Sequence, residues 1–245
     1  MKLEQYIKVI EKFIVDYMTN AHSNGYVLGL SGGVDSSLAA VITKEAVGKD
    51  KLTCIMMPIH SLPEDLKDAL KLAKSHDLRY EVVDASEVFD KYISSFEEIG
   101  VELDTATKSN LKARIRMSIL YAYAQKHNCL VIGTDNKDER YTGYFTKHGD
   151  GAADIFPLAK LVKSEVVAAA KLLGVSPELA DRVPSAGLFP GQTDEKEMGI
   201  KYADIDSYLL GKGAPQEAID KIERLHRISE HKRIPTPEPE EFIRD

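Results

Sequence analysis

Between residues 3 and 18, Leu3, Tyr6, Ile7, Ile10, Phe13, Ile14, Tyr17 and Met18 recur at the spacing of a helical face, so an amphipathic helix should open the chain. Four short apolar runs follow, rich in β-branched or aromatic residues: YVLGL at 26–30, LTCIMM at 52–57, RYEVV at 79–83 and CLVIG at 129–133. Their length and composition mark strands. Helical patterning fills the gaps, in DSSLAAVITKEAV, in PEDLKDALKLAKSH and in a long stretch near 104–127. Strands alternating with helices imply right-handed crossovers. The expected fold is α/β, a doubly wound parallel sheet covered by helices on both faces. Strands buried on both faces read as continuous apolar runs, as these do.

After residue 134 the pattern changes. TDNKDERYTGYFTKHGDGAAD has several glycines and charges but no clean period, which predicts a long loop. Helices resume near 163–173, 202–210 and 215–230, and VPSAGLFPGQTDEKEMG between them reads as irregular. The proline-rich, acidic tail over 233–245 should be loosely ordered. No internal repeat is present, and one domain over 1–245 accounts for the chain.

Composition narrows the class. Of 245 residues, 43% are hydrophobic, enough for a sizeable core. A formal net charge of −7 argues against a broad grip on nucleic acid. Cys54 and Cys129 both sit inside apolar runs and read as reduced thiols, neither a disulfide nor a zinc site. The start, MKLEQYIKVIEKF, is too charged for a signal peptide, and no apolar stretch is long enough to span a bilayer. A soluble, cytoplasmic protein is expected.

The chemistry is concentrated in GLSGGVDSSLAA at 29–40, where a strand meets a helix with almost no polar face. A buried helix whose N-terminus opens onto a polar loop is a place to hold an anion. Gly32 and Gly33 free backbone N–H groups to converge, while Ser31, Ser36 and Ser37 add hydroxyls. The lysine of the common phosphate loop is missing, and Asp35 stands among these donors. A carboxylate beside phosphates repels them unless a divalent cation lies between, so Asp35 reads as a magnesium ligand. The bland alternative is a tight strand–helix turn capped by Ser31.

SGGVDS resembles the pyrophosphate-binding loop of the N-type ATP pyrophosphatases, which cleave ATP between its α and β phosphates. GTDNKDERYTGYFTKHGDGAADIFPLAKLVKSEV, NLKARIRM, DEKEMGIKYADID and EHKR, in that family's order, resemble the ammonia-dependent NAD synthetases. The resemblance implies ATP-driven amidation of nicotinic acid adenine dinucleotide (deamido-NAD) to NAD, AMP and pyrophosphate. It implies ATP contacts at Gly29, Leu30, Ser31, Gly32, Gly33, Val34, Asp35, Ser36, Thr134, Lys163 and Ser185, the last where the family usually carries threonine. Asp35 and Glu139 become the magnesium ligands, from loops after neighbouring strands. Arg114, Lys147, Asp154, His231 and Lys232 become the deamido-NAD contacts, with adenylation supported by Asp35, Glu139, Lys147 and Lys163 and no side-chain nucleophile. It further implies a homodimer.

From the residues alone, several of these have plainer readings. Glu139 is then a solvated loop acid, Asp154 a loop cap, and His231 and Lys232 C-terminal charges complementing a helix dipole. Glutamine-dependent members carry an additional amidase domain, for which this length leaves no room, so free ammonia is the expected donor. Two rivals stay open: another ATP-pyrophosphate ligase, such as a tRNA-modifying enzyme, and a module that binds ATP without turning it over. The net charge and the lack of a basic, aromatic platform weigh against RNA.

Overall fold

In a computed structural model that describes residues 1–184 and 193–243, the first helix is α1 (Leu3–Asn20), followed by strand β1 (Gly25–Gly29) and α2 (Val34–Val47). Then come β2 (Leu52–Met56), α3 (Pro63–Ser75), β3 (Tyr80–Val82), α4 (Ser86–Glu98), α5 (Thr105–His127) and β4 (Cys129–Ile132). The remainder is helical: α6 (Lys137–Thr142), α7 (Lys163–Leu172), α8 (Pro177–Ala180), α9 (Asp194–Met198), α10 (Tyr202–Leu209) and α11 (Gln216–Ile228). The sheet is parallel, in the order β3-β2-β1-β4.

Side chains alternate across the sheet and so build two cores. Tyr26 and Leu28 of β1, with Cys54 and Met56 of β2, pack against Ile10 and Ile14 of α1, Leu38 and Ile42 of α2, and Val166 of α7. Val27, Ile55 and Val131 point the other way, onto Met117, Leu120 and Ala124 of α5. Helices therefore cover both faces, as the alternating pattern requires. Cys54 is wholly buried, which pushes its thiol up to about 12, and both cysteines are free. Among the described residues no helix is long and apolar enough to cross a membrane.

The structure corrects several local expectations. The stretch after residue 134 is not one long loop, because Asn136 caps the short helix α6. Helix α4 was not anticipated, and α9 begins inside the stretch expected to be irregular. Of the eight apolar residues on α1, Ile7, Ile10, Ile14 and Met18 are buried, while Phe13 and Tyr17 stay exposed. The apolar set is wider than the face that α2 and α7 cover. Over 235–243 the tail forms neither helix nor strand.

Three short segments meet where α6, α7 and α10 begin. Asp138 accepts from the Lys163 N–H at 3.0 Å, and Asp206 accepts from the Ser164 N–H at 3.0 Å. Asp138 Oδ1 and Asp206 Oδ1 are buried with no donor of their own, so a proton shared between the two carboxyl groups is the arrangement that would satisfy both. Burial first, then Asp206, pushes the Asp138 carboxyl up to about 9. A carboxyl raised in this way favours the fold fully below its unfolded value of 3.8, and that contribution is lost as pH rises through about 9. Asp206→Asn supplies an amide proton permanently. Its stability should fall less from pH 5 to 9 than the parent's, by about 2 kcal/mol, the size of an unmatched buried polar group. Denaturant unfolding at both pH values measures this, and parallel curves would refute the shared proton.

Candidate active site

β1 lies at the centre of the sheet, with β2 and β3 laid down on one side before the chain crosses to β4 on the other. The strand order reverses between β1 and β4, which opens a crevice beyond their carboxyl ends. A cavity of about 1020 Å³ occupies that place, lined by the loop after β1, the loop after β4, the end of β2, one face of α5, and the starts of α7 and α9.

The loop after β1 leaves the start of α2 open to this crevice. Gly33 is the N-cap of α2 and no side chain caps that helix. The Ser31 hydroxyl accepts from the Gly33 N–H at 3.2 Å and lies 3.0 Å from that of Ser36, which bonds the Gly33 carbonyl at 3.1 Å. These contacts fix the turn while the first-turn N–H groups of α2 keep no side-chain acceptor. Ser37, expected to add a hydroxyl, instead bonds back to the Gly33 carbonyl at 2.7 Å and is fully buried.

Asp35 and Glu139 converge on the crevice from the two loops. Lys163, at the start of α7, puts its Nζ 2.5 Å from Asp35 Oδ2 and 4.9 Å from the centre of the Tyr202 ring. Burial opposes the lysine's charge, but Asp35 and Glu139 outweigh it and hold its pKa above the usual value. Burial and repulsion by Asp35 push the Glu139 carboxyl up to about 8. Asp194, at the start of α9, joins them, accepting from the Tyr202 hydroxyl at 3.1 Å and the Tyr144 hydroxyl at 3.3 Å. Burial raises its pKa too. One buried cation thus stands among three acids.

Of the residues singled out in the sequence, Gly29, Leu30, Ser31, Gly33, Val34, Asp35, Ser36, Thr134, Glu139, Lys163 and Lys232 line this cavity. Gly32 sits behind it, with φ of +85°, against α3. Ser185 lies outside the described residues. The remaining positions do not line the cavity. Arg114 Nε donates to the Lys147 carbonyl at 3.3 Å, and Lys147 Nζ donates to the His231 carbonyl at 2.7 Å, so those three gather into one cluster. Lys232 joins it to the cavity, donating to the Gly143 and Phe145 carbonyls at 2.8 and 2.7 Å. Asp154 stands apart, with its Oδ2 accepting from the Val131 N–H of β4 at 2.7 Å.

Sequence reasoning passed over several residues in or behind the cavity wall. Asp194 and Tyr202 come from helices distant in the chain, and no spacing announces them. Arg116 was not among the expected contacts, yet it lines the cavity, its guanidinium braced by the Met57 carbonyl at 2.9 Å and the Ser61 hydroxyl at 3.3 Å. Asn136 was discoverable: asparagine followed three positions later by glutamate is a capping-box signature.

The NAD synthase family model matches residues 6–236. A protein of Alkaliphilus oremlandii (strain OhILAs) named NH(3)-dependent NAD(+) synthetase is 41% identical over 244 residues, covering 97% of both chains. The solved structure of an NMN synthetase from Francisella tularensis superposes with a TM-score of 0.92 at 38% identity, covering 98% of this chain and 99% of that one. An NH3-dependent NAD synthetase from Campylobacter jejuni subsp. jejuni superposes with a TM-score of 0.80 at 32% identity, covering 98% and 100%. The likeness runs the length of the chain and includes both loops that form the crevice, so the chain belongs to the NAD synthase family.

Proposed function

We propose that this chain amidates deamido-NAD with ammonia at the expense of ATP, releasing NAD, AMP and pyrophosphate. The observation that carries the reading is the meeting of Asp35, Glu139 and Lys163 at the β1–β4 crevice beside an uncapped helix start.

The nicotinate carboxylate is a poor electrophile because its charge is delocalised. Its oxygen attacks the α-phosphorus of ATP, the bond to the bridging oxygen breaks, and pyrophosphate departs from an acyl adenylate. The first-turn N–H groups of α2 receive the pyrophosphate, and Lys163 Nζ neutralises part of its charge. Neutral ammonia adds to the acyl carbon, a proton is lost, and AMP leaves with the electron pair of the broken C–O bond. No side chain forms a bond to substrate. The protein's part is to orient the reactants and place charge where it develops. Lys232, Lys147, Arg114 and His231 carry the dinucleotide at the cavity edge in this reading.

Magnesium fits the residues present. Burial, and then repulsion by Asp35, lift Glu139 to about 8, and a divalent cation held by both acids would offset the repulsion. Among the described residues no three His, Cys, Asp or Glu side chains are arranged to hold a metal alone. Two carboxylates completed by phosphate oxygens and water are the donor set magnesium takes. When bound, magnesium would neutralise charge on the phosphates.

Purified protein given ATP, magnesium, ammonia and deamido-NAD should form AMP and NAD in equal amounts, and glutamine should not replace ammonia. AMP formed without an acceptor, or none at all, would sink the reading. The Francisella tularensis likeness favours a second acceptor, the mononucleotide acid whose amide is NMN, so the assay includes both acids and compares kcat/KM. Exposed Val9, Phe13 and Tyr17 on α1 and Tyr121 on α5 support a homodimer. A fully active monomer in sedimentation would remove that assignment.

A further inference from the structure

Asn136 lies between the two acids of the crevice and is fully buried. Its side-chain oxygen accepts from the N–H groups of Asp138 at 2.9 Å and Glu139 at 3.0 Å, which starts α6. Its own N–H donates to Glu139 Oε2 at 3.0 Å. Its Nδ2 donates to Asp35 Oδ1 at 2.8 Å, across 101 positions of sequence. One residue therefore grips both carboxylates, although they arrive on loops from different strands.

We propose that Asn136 is a positioning residue, which sets how Asp35 and Glu139 face one another so that a divalent cation arriving with the nucleotide meets both. This rests on the reading of those two acids as the magnesium ligands. The two tasks explain the residue type. Starting α6 needs a short side chain with an acceptor, which serine, threonine, aspartate and asparagine all supply. Holding Asp35 at the same time needs a donor on the same side chain, pointing the other way. Aspartate lacks that donor and would set a third carboxylate against two. A single hydroxyl does not accept from α6 and also reach Asp35. Asparagine meets both demands. Lys163 already takes Asp35 Oδ2, so without the Asn136 amide the carboxylate would turn about its contact with the lysine.

Partners that hold metal ligands in place typically contribute about ten- to a hundred-fold to metal affinity. The test uses Mn²⁺ as probe, with a non-hydrolysable ATP analogue, and reads free Mn²⁺ by electron paramagnetic resonance. Asn136→Ser keeps an oxygen to start α6 and loses the amide, and Asn136→Thr does the same if the serine variant proves too unstable. Glu139→Gln removes a ligand outright and sets the scale. The expected result is tight Mn²⁺ binding by the parent, loss of binding in Glu139→Gln, and an affinity about ten- to a hundred-fold weaker in Asn136→Ser. Parent-like Mn²⁺ affinity in Asn136→Ser, with binding lost in Glu139→Gln, overturns the inference and leaves the magnesium reading standing. No binding by the parent, or parent-like binding by Glu139→Gln, overturns both.

Discussion

Lys163→Met should lower kcat by about a thousand-fold, the upper range for removing one preorganised electrostatic group from an active site. Methionine keeps an unbranched stem of similar length and loses only the ammonium, whose Nζ sits 4.9 Å from the centre of the Tyr202 ring, so the charge changes completely. What remains is Asp35, Glu139 and Asp194 around a point that no longer holds the lysine's charge. Breaking a buried ion pair by deleting one partner destabilises by about 3–5 kcal/mol, because the other charge stays buried. That loss must depend on pH. Glu139 is raised from 4.5 to about 8 even with Lys163 present, and removing the lysine raises it further. Protonated carboxyls do not repel, so the deficit should be small at pH 5 and grow toward pH 9. Paired unfolding curves of parent and variant across that range measure it. A deficit that does not change with pH would show that Lys163 is not the counter-charge of this cluster.

The sheet and the small, polar turn after β1 were the most legible parts of the sequence, for a physical reason. Parallel strands buried on both faces must be apolar throughout, so β1, β2 and β4 stand out as uninterrupted runs. A tight turn into a buried helix needs small and polar residues, so SGGVDS stands out as well. Elements held by tertiary contact were harder to read. Helix α6 has six residues, too few to show a period, and exists because Asn136 and Glu139 cap each other. Helix α9 has five, and its buried Asp194 accepts from Tyr144 and Tyr202, which reach it from elsewhere in the chain. Arg114 and Arg116 sit on different faces of one long helix, and nothing local says which face meets the cavity. Lys160 and Lys163 lie three positions apart with nothing local to rank them, yet Lys160 is exposed, whereas Lys163 is 5% exposed and bound to Asp35.

Gly32→Ala should lower affinity for an ATP analogue by more than about a hundred-fold while leaving the fold largely intact. Two demands meet at this glycine. Its φ of +85° is one that alanine adopts at a cost of about 1–2 kcal/mol. A Cβ there would also lie 2.7 Å from the Asp65 carbonyl oxygen and 3.3 Å from the Ala69 nitrogen, both backbone atoms of α3. Helix backbone does not step aside as a lysine tip would, so the loop must move instead. It carries the start of α2 with it, and the N–H groups aimed at the crevice lose their common target. A displacement of about 1 Å is enough for the predicted loss in binding. Gly100 separates the two causes, since its φ is +75° and a Cβ added there would meet nothing within 4 Å. Gly100→Ala should show the conformational penalty alone in denaturant unfolding and bind the analogue as the parent does. If Gly32→Ala also binds normally by calorimetry, the loop after β1 is not where the phosphates sit.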